Sequence, residues 1–385
     1  MDFELSEEHK MIQSLARDFV TEQLRPLERD LLGRSADLSD ARAVLPPEKE
    51  AALASMVNGM GLWNIGVPEE LGGAGLDNLG VCLVEEELAQ TVVPFRFGDV
   101  SPLLFECTPE QRERFLAPVL TGERRALVAV IGPDDPSRKS LDAVTAAPDS
   151  GGYRLNGTKV SFSRFGEDYF GIIFARTSEG YTCFLVDHDT PGFTVVGAVE
   201  RCGWSAPVHR PLTLVFQGCY VPADQILGTP GQAFRLGQQW LPQRRVVRSA
   251  RSVGVGRRLL EEAATHAQSL VVFGKPISLR LNVQAALADM AVNIHAAALM
   301  VYEAACSADT GKSVARAASV VKLATTAMLH SVADRVSHVF NGPAFIKGLP
   351  MERLCRSILE DHALELTLAK LRNRIAADIL EGVRV

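Results

Sequence analysis

Residues 350–377 read PMERLCRSILEDHALELTLAKLRNRIAA, and this stretch near the C-terminus decides how the chain is interpreted. Its apolar residues recur mostly at three- and four-residue intervals, the spacing of a helix with one buried face. The pattern predicts that the chain ends in a long helical segment, from Met351 to Leu380, packed against other helices. The apolar positions are Leu354, Ile358, Leu359, Leu364, Leu368, Leu371, Ile375 and Ile379.

One carboxylate, Glu365, lies inside this apolar run with a leucine on either side. If its side chain shares the buried face, the loss of hydration disfavours the charged form and raises the pKa. A carboxyl group with a raised pKa suits a general base that works near neutral pH. The alternative is that Glu365 lies on the solvated face of the helix and the two leucines lie on other faces.

The composition is that of an ordinary globular protein. The chain has 385 residues, of which 47% are hydrophobic and 22% charged, and its net charge is −6 at pH 7. This length predicts two or three domains with a sizeable core. The sequence has no basic block, no aromatic RNA-binding motif and no paired Cys/His finger, so we expect no nucleic-acid partner.

The cysteines and histidines indicate neither disulfides nor a metal site. The seven cysteines are dispersed without a CxxC pair, as expected for free thiols in a reducing compartment. The eight histidines include no HExxH motif. The acidic N-terminus does not resemble a signal peptide, and we see no apolar run of membrane-spanning length. We therefore expect a cytoplasmic protein with no membrane association.

Helical signals dominate residues 1–124, which we interpret as an N-terminal α-helical domain. Ser6 can cap a first helix, a second helix begins near Pro47, and a third covers roughly residues 78–90. Thr108-Pro109-Glu110-Gln111 has the sequence of a helix start with a capping box.

Residues 125–230 change to short strand-like runs separated by turn residues, without helical patterns between them. A hairpin is predicted around residues 149–152, and Asn156-Gly157 is the strongest two-residue hairpin signal in the segment. We interpret the segment as a middle antiparallel β-domain, a barrel or a sandwich, and not as a βαβ unit.

Residues 231–385 return to helices and predict a C-terminal four-helix bundle, so the fold class is α+β. The helices are rich in alanine and apolar on more than one face, so we expect them to pack against further subunits as well. The four helical segments cover roughly residues 240–269, 278–308, 313–340 and 351–380.

Arginines cluster on the first bundle helix. Arg244, Arg248 and Arg251 share a face that could meet phosphates or the acidic helices of another subunit. For Arg257 and Arg258, one turn further on, a solvated face is the alternative.

Several stretches, in this order and spacing, resemble motifs of the acyl-CoA dehydrogenase family, whose members have the same three-part layout. The resemblance runs over essentially the whole chain. It implies an FAD-dependent oxidoreductase of lipid metabolism that dehydrogenates an acyl-CoA thioester between its α and β carbons. The stretches are GVPEELGGAG at residues 66–75, LNGTK at 155–159, DTPGF at 189–193, FGK at 273–275, LADM at 287–290 and PMERLCR at 350–356.

The resemblance also implies roles for single residues. Glu365, nine residues after Arg356, matches the catalytic base that removes the α-proton while a hydride passes to flavin N5. Leu366 replaces a glycine of the family and should narrow the substrate pocket. Contacts to the substrate are implied for Ser137, Arg245 and Leu366. Contacts to FAD are implied for Val130, Ile131, Ser137, Phe162, Ser163, Phe273, Arg280, Gly342 and Thr367.

Several of the flavin-binding positions depart from the family pattern. Ile131 replaces a threonine whose hydroxyl can bond to the flavin, and Ser161-Phe162-Ser163 replaces a Trp-Ile-Thr platform. Leu270 replaces an arginine that helps to hold the pyrophosphate of a neighbouring subunit's FAD, and Leu281 replaces a glutamine. Arg280 could supply the lost charge, because arginine suits bidentate phosphate contact.

These departures leave three hypotheses open. The first is an active acyl-CoA dehydrogenase that passes its electrons to an electron-transfer flavoprotein or another acceptor. The second is a flavin-poor or inactive subunit that acts as the scaffold of a hetero-oligomer beside a homologous partner. The third is a flavin oxidase or monooxygenase of the same fold. Family members usually form tetramers or dimers, so we expect a homo-oligomer, such as a homotetramer, unless the second hypothesis holds.

Overall fold

The computed structural model describes residues 4–34, 45–130, 142–162, 167–198, 212–346, 348–361 and 368–382. The α-helices are α1 (Glu7–Phe19), α2 (Arg25–Arg34), α3 (Pro47–Gly59), α4 (Asn78–Leu88), α5 (Pro109–Gln111), α6 (Ala117–Thr121), α7 (Ala233–Ser269), α8 (Leu281–Asp309), α9 (Ala315–Phe340), α10 (Pro350–Asp361) and α11 (Leu368–Leu380). The strands are β1 (Arg125–Ala129), β2 (Val144–Asp149), β3 (Gly152–Ser161), β4 (Tyr169–Thr177), β5 (Gly180–Asp187), β6 (Phe193–Ala198), β7 (Leu212–Pro222), β8 (Ile226–Leu227), β9 (Val271–Val272) and β10 (Lys275–Pro276).

The predicted order of helices, then strands, then helices is confirmed, and packing divides the chain into two compact units. The helical unit comprises Met1–Leu53, Leu76–Arg96 and Leu241–Val385. The β unit comprises Ala54–Gly75 and Phe97–Trp240. The predicted N-terminal domain therefore contributes helices to both units, and its boundary at residue 124 stays a prediction.

Helix starts follow the capping residues named in the sequence. The Ser6 hydroxyl accepts a hydrogen bond from the backbone N–H of His9 at 3.1 Å, and α3 begins at Pro47. Thr108 and Gln111 exchange both bonds of a capping box. These local predictions are confirmed because a cap depends on neighbouring residues only.

One apolar core holds the helical unit together, with contributions from α4, α7, α8, α9 and α10. The predicted fourth bundle segment is present as two helices, α10 and α11, and residues 362–367 between them lie outside the described residues. The most deeply buried members of the core include Leu83, Val253, Met290, Val301, Val332 and Val336.

Among the described residues, one helix, α8, is long and apolar enough by length and composition to cross a membrane. The expectation that no apolar run reaches this length was therefore wrong. The inner face of α8 packs in the core through Met290, Ile294 and Val301. A core helix of a globular protein can have the same length and apolar composition as a membrane-spanning helix. Only 28% of the apolar stretch is buried within the chain, so α8 has an outer apolar face in the single chain.

The sheet of the β unit is mixed, so the prediction of a purely antiparallel domain was wrong in this respect. Eight strands form one sheet in the order β6-β7-β3-β2-β4-β5-β8, with β1 beside β4. Strand β1 runs parallel to β4 over five residue pairs, because the β2–β3 hairpin intervenes between them in the chain. Most other pairs are antiparallel, as predicted.

Strand β4 is buried on both of its faces, which explains its nearly continuous apolar sequence. Ile173 and Ala175 belong to one apolar core of the β unit. Phe170, Ile172 and Phe174 alternate with them and belong to a second core, which includes side chains of the helical segments before β1. Because successive side chains of a strand point to opposite faces, β4 contributes to both cores.

The predicted Asn156-Gly157 hairpin turn is absent, and the two residues lie inside β3, opposite a bulge of β7. Between Leu155 and Gly157 the partner strand β7 has one residue more than β3, so the bulge belongs to β7. The Asn156 side chain accepts a hydrogen bond from the N–H of Gly218 at 2.7 Å. Gly157 has a φ of 127°, and a Cβ there would lie 2.0 Å from the carbonyl oxygen of Ala143. Positive φ and close backbone approach therefore explain this glycine.

Helix α4 carries three consecutive buried glutamates, Glu85, Glu86 and Glu87, in the helical unit. Burial of a carboxylate is tolerated when arginines pair with it. Each of the three has such a partner from a different part of the unit. Glu85 pairs with Arg96 and Arg251, Glu86 with Arg257 and the hydroxyl of Tyr302, and Glu87 with Arg17.

The neighbouring carboxylates Glu85 and Glu86 have opposite pKa shifts. For Glu85, burial raises the pKa, but Arg96 and Arg251 outweigh it and lower the value to about 2. For Glu86, burial is the larger effect, and it raises the pKa to about 7 against Arg257 and Tyr302. Two arginines therefore keep Glu85 charged, whereas Glu86 titrates near neutral pH.

A glycine lets α7 approach the backbone of α4 at the buried glutamates. A Cβ at Gly254 would lie 2.0 Å from the carbonyl oxygen of Glu86. The Gly254-Val255-Gly256 sequence is thus a close helix packing site, as its position in the middle of a helix suggests.

We predict that Gly254→Ala destabilises the helical unit by about 1–3 kcal/mol, because the new methyl group overlaps a backbone oxygen that cannot move alone. Guanidinium unfolding of the two proteins measures the difference. Gly33→Ala is the matched control, since no atom lies within 4 Å of a Cβ there. This control should be neutral or slightly stabilising in a helix. Equal stability of Gly254→Ala and the wild type would contradict the close packing of α4 and α7.

We also predict a pH dependence that Glu86 produces. Its folded pKa of about 7 exceeds the ordinary glutamate pKa of 4.5 in an unfolded chain, so between these pH values the folded protein holds a proton that the unfolded chain has released. The free energy of unfolding should therefore fall as pH rises through this window, by up to about 3 kcal/mol.

Glu86→Gln should remove this fall, which unfolding midpoints measured from pH 5 to pH 8 would detect. Glu303→Gln, on the exposed side of α8, controls for the loss of one carboxylate. An unchanged pH dependence in Glu86→Gln would exclude the protonation of Glu86 as its source.

Candidate functional site

Half of the residues implied in catalysis and binding lie outside the described residues. These are Glu365, Leu366, Thr367, Ile131, Ser137 and Ser163. Their roles stay predictions. The described members are Val130 and Phe162 in the β unit and Arg245, Phe273, Arg280 and Gly342 in the helical unit.

In the β unit, a buried lysine joins the strand ends that carry Val130 and Phe162. The pairing of β1 with β4 ends at Ala129, and Val130 is the next residue. The Nζ of Lys159 donates a hydrogen bond to the carbonyl oxygen of Val130 at 2.5 Å. Because Lys159 lies three residues before Phe162, this bond links the end of β1 to the end of β3.

Lys159 is fully buried, which is rare for a lysine. Burial lowers its pKa to about 8, and Asp142 opposes this shift. In the sequence, Lys159 is the last residue of the LNGTK motif, and the motif alone assigns it no role. A signal was available: Lys159 shares a strand face with buried Leu155, where an apolar residue is expected.

Phe162 lies where β3 leaves the sheet. The pairing with β7 ends at Ser161, which is fully buried, whereas Phe162 is 39% exposed. An accessible aromatic side chain beside a fixed strand end can cover one face of a planar ring. Phe162 can thus partly replace the indole of the Trp-Ile-Thr platform that the family has at this position.

In the helical unit, Phe273 is the most exposed large apolar side chain of a small hairpin. Strands β9 and β10 pair through Val272 and Lys275, with Phe273 and Gly274 as the two turn residues. Both have positive φ, 54° and 76°, and Phe273 is 98% exposed. Positive φ is unfavourable for an aromatic residue, and such strain often marks a binding segment.

Arg280 lies immediately before α8, a helix of 29 residues. The N-terminus of a long helix favours anions, and an exposed guanidinium there suits a phosphate. The flanking leucines supply no hydrogen-bond donor: Leu270 is 36% exposed and Leu281 is 82% exposed. Arg280 can therefore supply part, but not all, of the charge that the family places here.

Gly342 begins a short turn directly after α9. Nothing lies within 4 Å of a Cβ at this position, so its backbone is open to a ligand. The preceding Asn341 has φ 56° and ψ −131°, a conformation that glycine adopts more easily. The turn therefore has a glycine-like backbone at Asn341.

Arg245 and its neighbouring arginines face the interior of the helical unit more than the sequence suggested. Arg245 is only 7% exposed. Arg251 pairs with Glu85 on α4 of the same chain, so the acidic helix that it meets is not that of another subunit. The alternative of a solvated face for Arg257 and Arg258 was wrong, because they pair with buried Glu86 and Glu28.

The described side chains of each unit fit a part of FAD. In the β unit, the accessible ring of Phe162 lies at the end of β3, and the buried ammonium group of Lys159 holds the backbone at Val130. The helical unit offers an exposed aromatic hairpin, an arginine at a helix N-terminus and an open glycine backbone, which suit an adenine and a diphosphate. Within the described ranges, no three His, Cys, Asp or Glu side chains are grouped to hold a metal ion.

Comparisons with known proteins identify what this chain is similar to. The family models "Acyl-CoA dehydrogenase, N-terminal domain" and "Acyl-CoA dehydrogenase, C-terminal domain" match residues 6–123 and 231–380. Human mitochondrial short-chain specific acyl-CoA dehydrogenase is 28% identical, over 99% of this chain and 92% of that protein. The (R)-benzylsuccinyl-CoA dehydrogenase of Thauera aromatica is 30% identical, over 93% of this chain and 92% of that protein. The solved structure of butyryl-CoA dehydrogenase from Megasphaera elsdenii has a TM-score of 0.82 at 25% identity, covering 99% of this chain and 100% of that one.

Proposed function

The chain belongs to the acyl-CoA dehydrogenase family, and from this premise we propose that Glu365 is the base of its reaction. Membership makes the chain an FAD-dependent oxidoreductase that acts on a CH–CH bond of an acyl-CoA thioester. The proposal concerns how this chain performs that reaction and which of its residues take part.

The observation that carries the proposal is the helix that precedes Glu365. Helix α10 contains the PMERLCR motif, and its side chains Met351, Leu354 and Ile358 are buried in the core of the helical unit. The motif is therefore anchored in a fixed helix whose described part extends to Asp361, four residues before Glu365. A base positioned from a rigid element needs little reorganisation to meet its substrate.

The proposed role of Glu365 is to take the α-proton of the thioester. Leucines on both sides would limit its hydration, so that its pKa rises toward the range in which a carboxylate removes a proton efficiently. Leu366 would narrow the space for the acyl chain. When bound, FAD supplies the two-electron acceptor that takes the β-hydrogen as hydride at N5.

The proposal includes partners beyond the substrate. Acyl-CoA dehydrogenases deliver electrons to electron-transfer flavoproteins, and we propose the same kind of acceptor here. The outer face of α8 exposes Val292, Leu299 and Met300, an apolar surface that fits another copy of this chain. A dimer or tetramer would cover it, which is why we favour an oligomer over a monomer.

A second candidate function rests on Leu270 and Leu281. Both are exposed and apolar at positions where the family pattern places polar contacts to FAD. This chain would then be a flavin-poor subunit that works beside a homologous partner. Arg280 and the open backbone of Gly342 favour the first candidate, because they keep two contacts for a diphosphate.

We predict that Glu365→Gln lowers the rate of anaerobic flavin bleaching by an acyl-CoA at least about a hundredfold, since the amide cannot accept the proton. Stopped-flow absorbance with a series of straight-chain and branched acyl-CoA thioesters measures the rate. Glu381→Gln, an exposed residue after α11, is the matched control and should bleach as the wild type does. A variant Glu365→Gln that retains FAD and the full rate would show that another group is the base.

We also predict that Leu270→Arg combined with Leu281→Gln tightens FAD binding about tenfold, because one charged hydrogen bond to phosphate contributes at least about 1.5 kcal/mol. Both side chains are at least one-third exposed, so the substitutions bury no charge. FAD titration of the deflavinated proteins gives the Kd values. Leu380→Arg, which adds the same charge at the exposed end of α11, should leave the Kd unchanged.

An unchanged Kd in the double variant would exclude these two positions as FAD contacts. It would also remove the observation on which the flavin-poor candidate depends.

A further inference from the structure

Lys159 has no role in the function described so far, although burying its ammonium group costs free energy. It lies near the end of β3, opposite fully buried Leu214 of β7, and none of its surface is exposed. An ammonium group in such surroundings loses much of its hydration, and the loss must be offset by strong acceptors. The position of a lysine in the core of a sheet is therefore explained by the groups to which its ammonium group donates hydrogen bonds.

One acceptor is the carbonyl group of Val130, which lies one residue beyond the β1–β4 ladder. The parallel pairing of the two strands ends with Ala129 opposite Ile173. One residue further on, the Val130 carbonyl receives its hydrogen bond from Lys159 at 2.5 Å. The side chain thus extends the fixed part of β1 by one peptide group beyond the sheet.

The same lysine determines the spacing between two strand ends. Ser161 and Phe162 follow Lys159 directly in β3, and the backbone leaves the core there, because Ser161 is buried and Phe162 is 39% exposed. The bond to Val130 therefore holds an accessible aromatic side chain at a constant distance from the peptide group after β1. Both ends belong to the β unit, whose sheet keeps them in register.

We propose that Lys159 is a positioning residue for the flavin ring of FAD, acting through the Val130 carbonyl and the end of β3. The inference rests on the proposed function, in which Val130 and Phe162 contact FAD. Lys159 itself does not touch the ring. Its effect is to preorganise the backbone at Val130 and the aromatic side chain of Phe162, so that binding FAD requires no ordering of these groups.

The competing explanation is that Lys159 only stabilises the sheet. In that case its loss lowers the unfolding midpoint but changes neither the Kd for FAD nor the flavin spectrum of the folded protein. Lys159→Met tests this, because methionine keeps an unbranched apolar side chain and removes every donor. Lys322→Met is the matched control, since Lys322 is 2% exposed on α9 in the helical unit.

The experiment titrates FAD into the deflavinated wild type, Lys159→Met and Lys322→Met well below their unfolding midpoints. For Lys159→Met we expect a Kd for FAD raised about tenfold to a hundredfold, with shifted flavin absorption bands. Lys322→Met should lose stability and keep the wild-type Kd and bands. If Lys159→Met does not fold, Lys159→Arg is measured instead. Arginine keeps the donors at a changed length, so it should fold, bind FAD less tightly than the wild type and shift the bands in the same direction.

Different results would contradict the positioning role of Lys159 and the proposed function. Wild-type Kd and bands in a folded Lys159 variant would overturn the positioning role while leaving the proposed function intact. A wild-type protein that takes up no FAD in the same titration would overturn the proposed function and, with it, the role of Lys159.

Discussion

The helical unit depends on one buried ionic layer, in which three consecutive glutamates of α4 pair with arginines from α1, α7 and the segment after α4. Taking these carboxylates out of water is costly, and only their arginine partners make the burial tolerable. These ion pairs therefore determine which segments pack together. If α4 packed against other segments, its buried carboxylates would lack arginine partners. Gly254 completes the arrangement by bringing α7 against the backbone of Glu86. Helix α10, which carries the approach to Glu365, packs in the core of this same unit.

In the β unit the corresponding constraint is the hydrogen bond that Lys159 donates to the carbonyl of Val130. The sheet places its strands by backbone pairing, but pairing ends where β1 ends, and the residues that follow need another restraint. A buried lysine provides it at the expense of desolvating an ammonium group. Sites for ligands are commonly built at such strand ends, where a rigid element meets a segment free to contact a ligand.

Much of the fold could be predicted from the sequence, because caps and amphipathic patterns depend on near neighbours. Ser6, Pro47 and Thr108 each began a helix as expected. Long-range partners could not be read in this way. The parallel pairing of β1, the bulge of β7 opposite Asn156 and the burial of three glutamates arise from segments distant in sequence. For the site, motif spacing identified Val130, Phe162, Phe273, Arg280 and Gly342 as candidates, whereas Lys159 required the structure, because its acceptor lies 29 residues away.

The central claim is that this chain is an FAD enzyme that oxidises acyl-CoA thioesters, despite leucines at two positions that usually contact the cofactor. The most direct measurement is the visible spectrum of the purified protein, recorded anaerobically before and after addition of a series of acyl-CoA thioesters. We expect flavin bands that correspond to about one FAD per chain and that bleach with at least one thioester. A colourless protein that takes up no added FAD, or a flavin spectrum that no acyl-CoA changes, would contradict the claim.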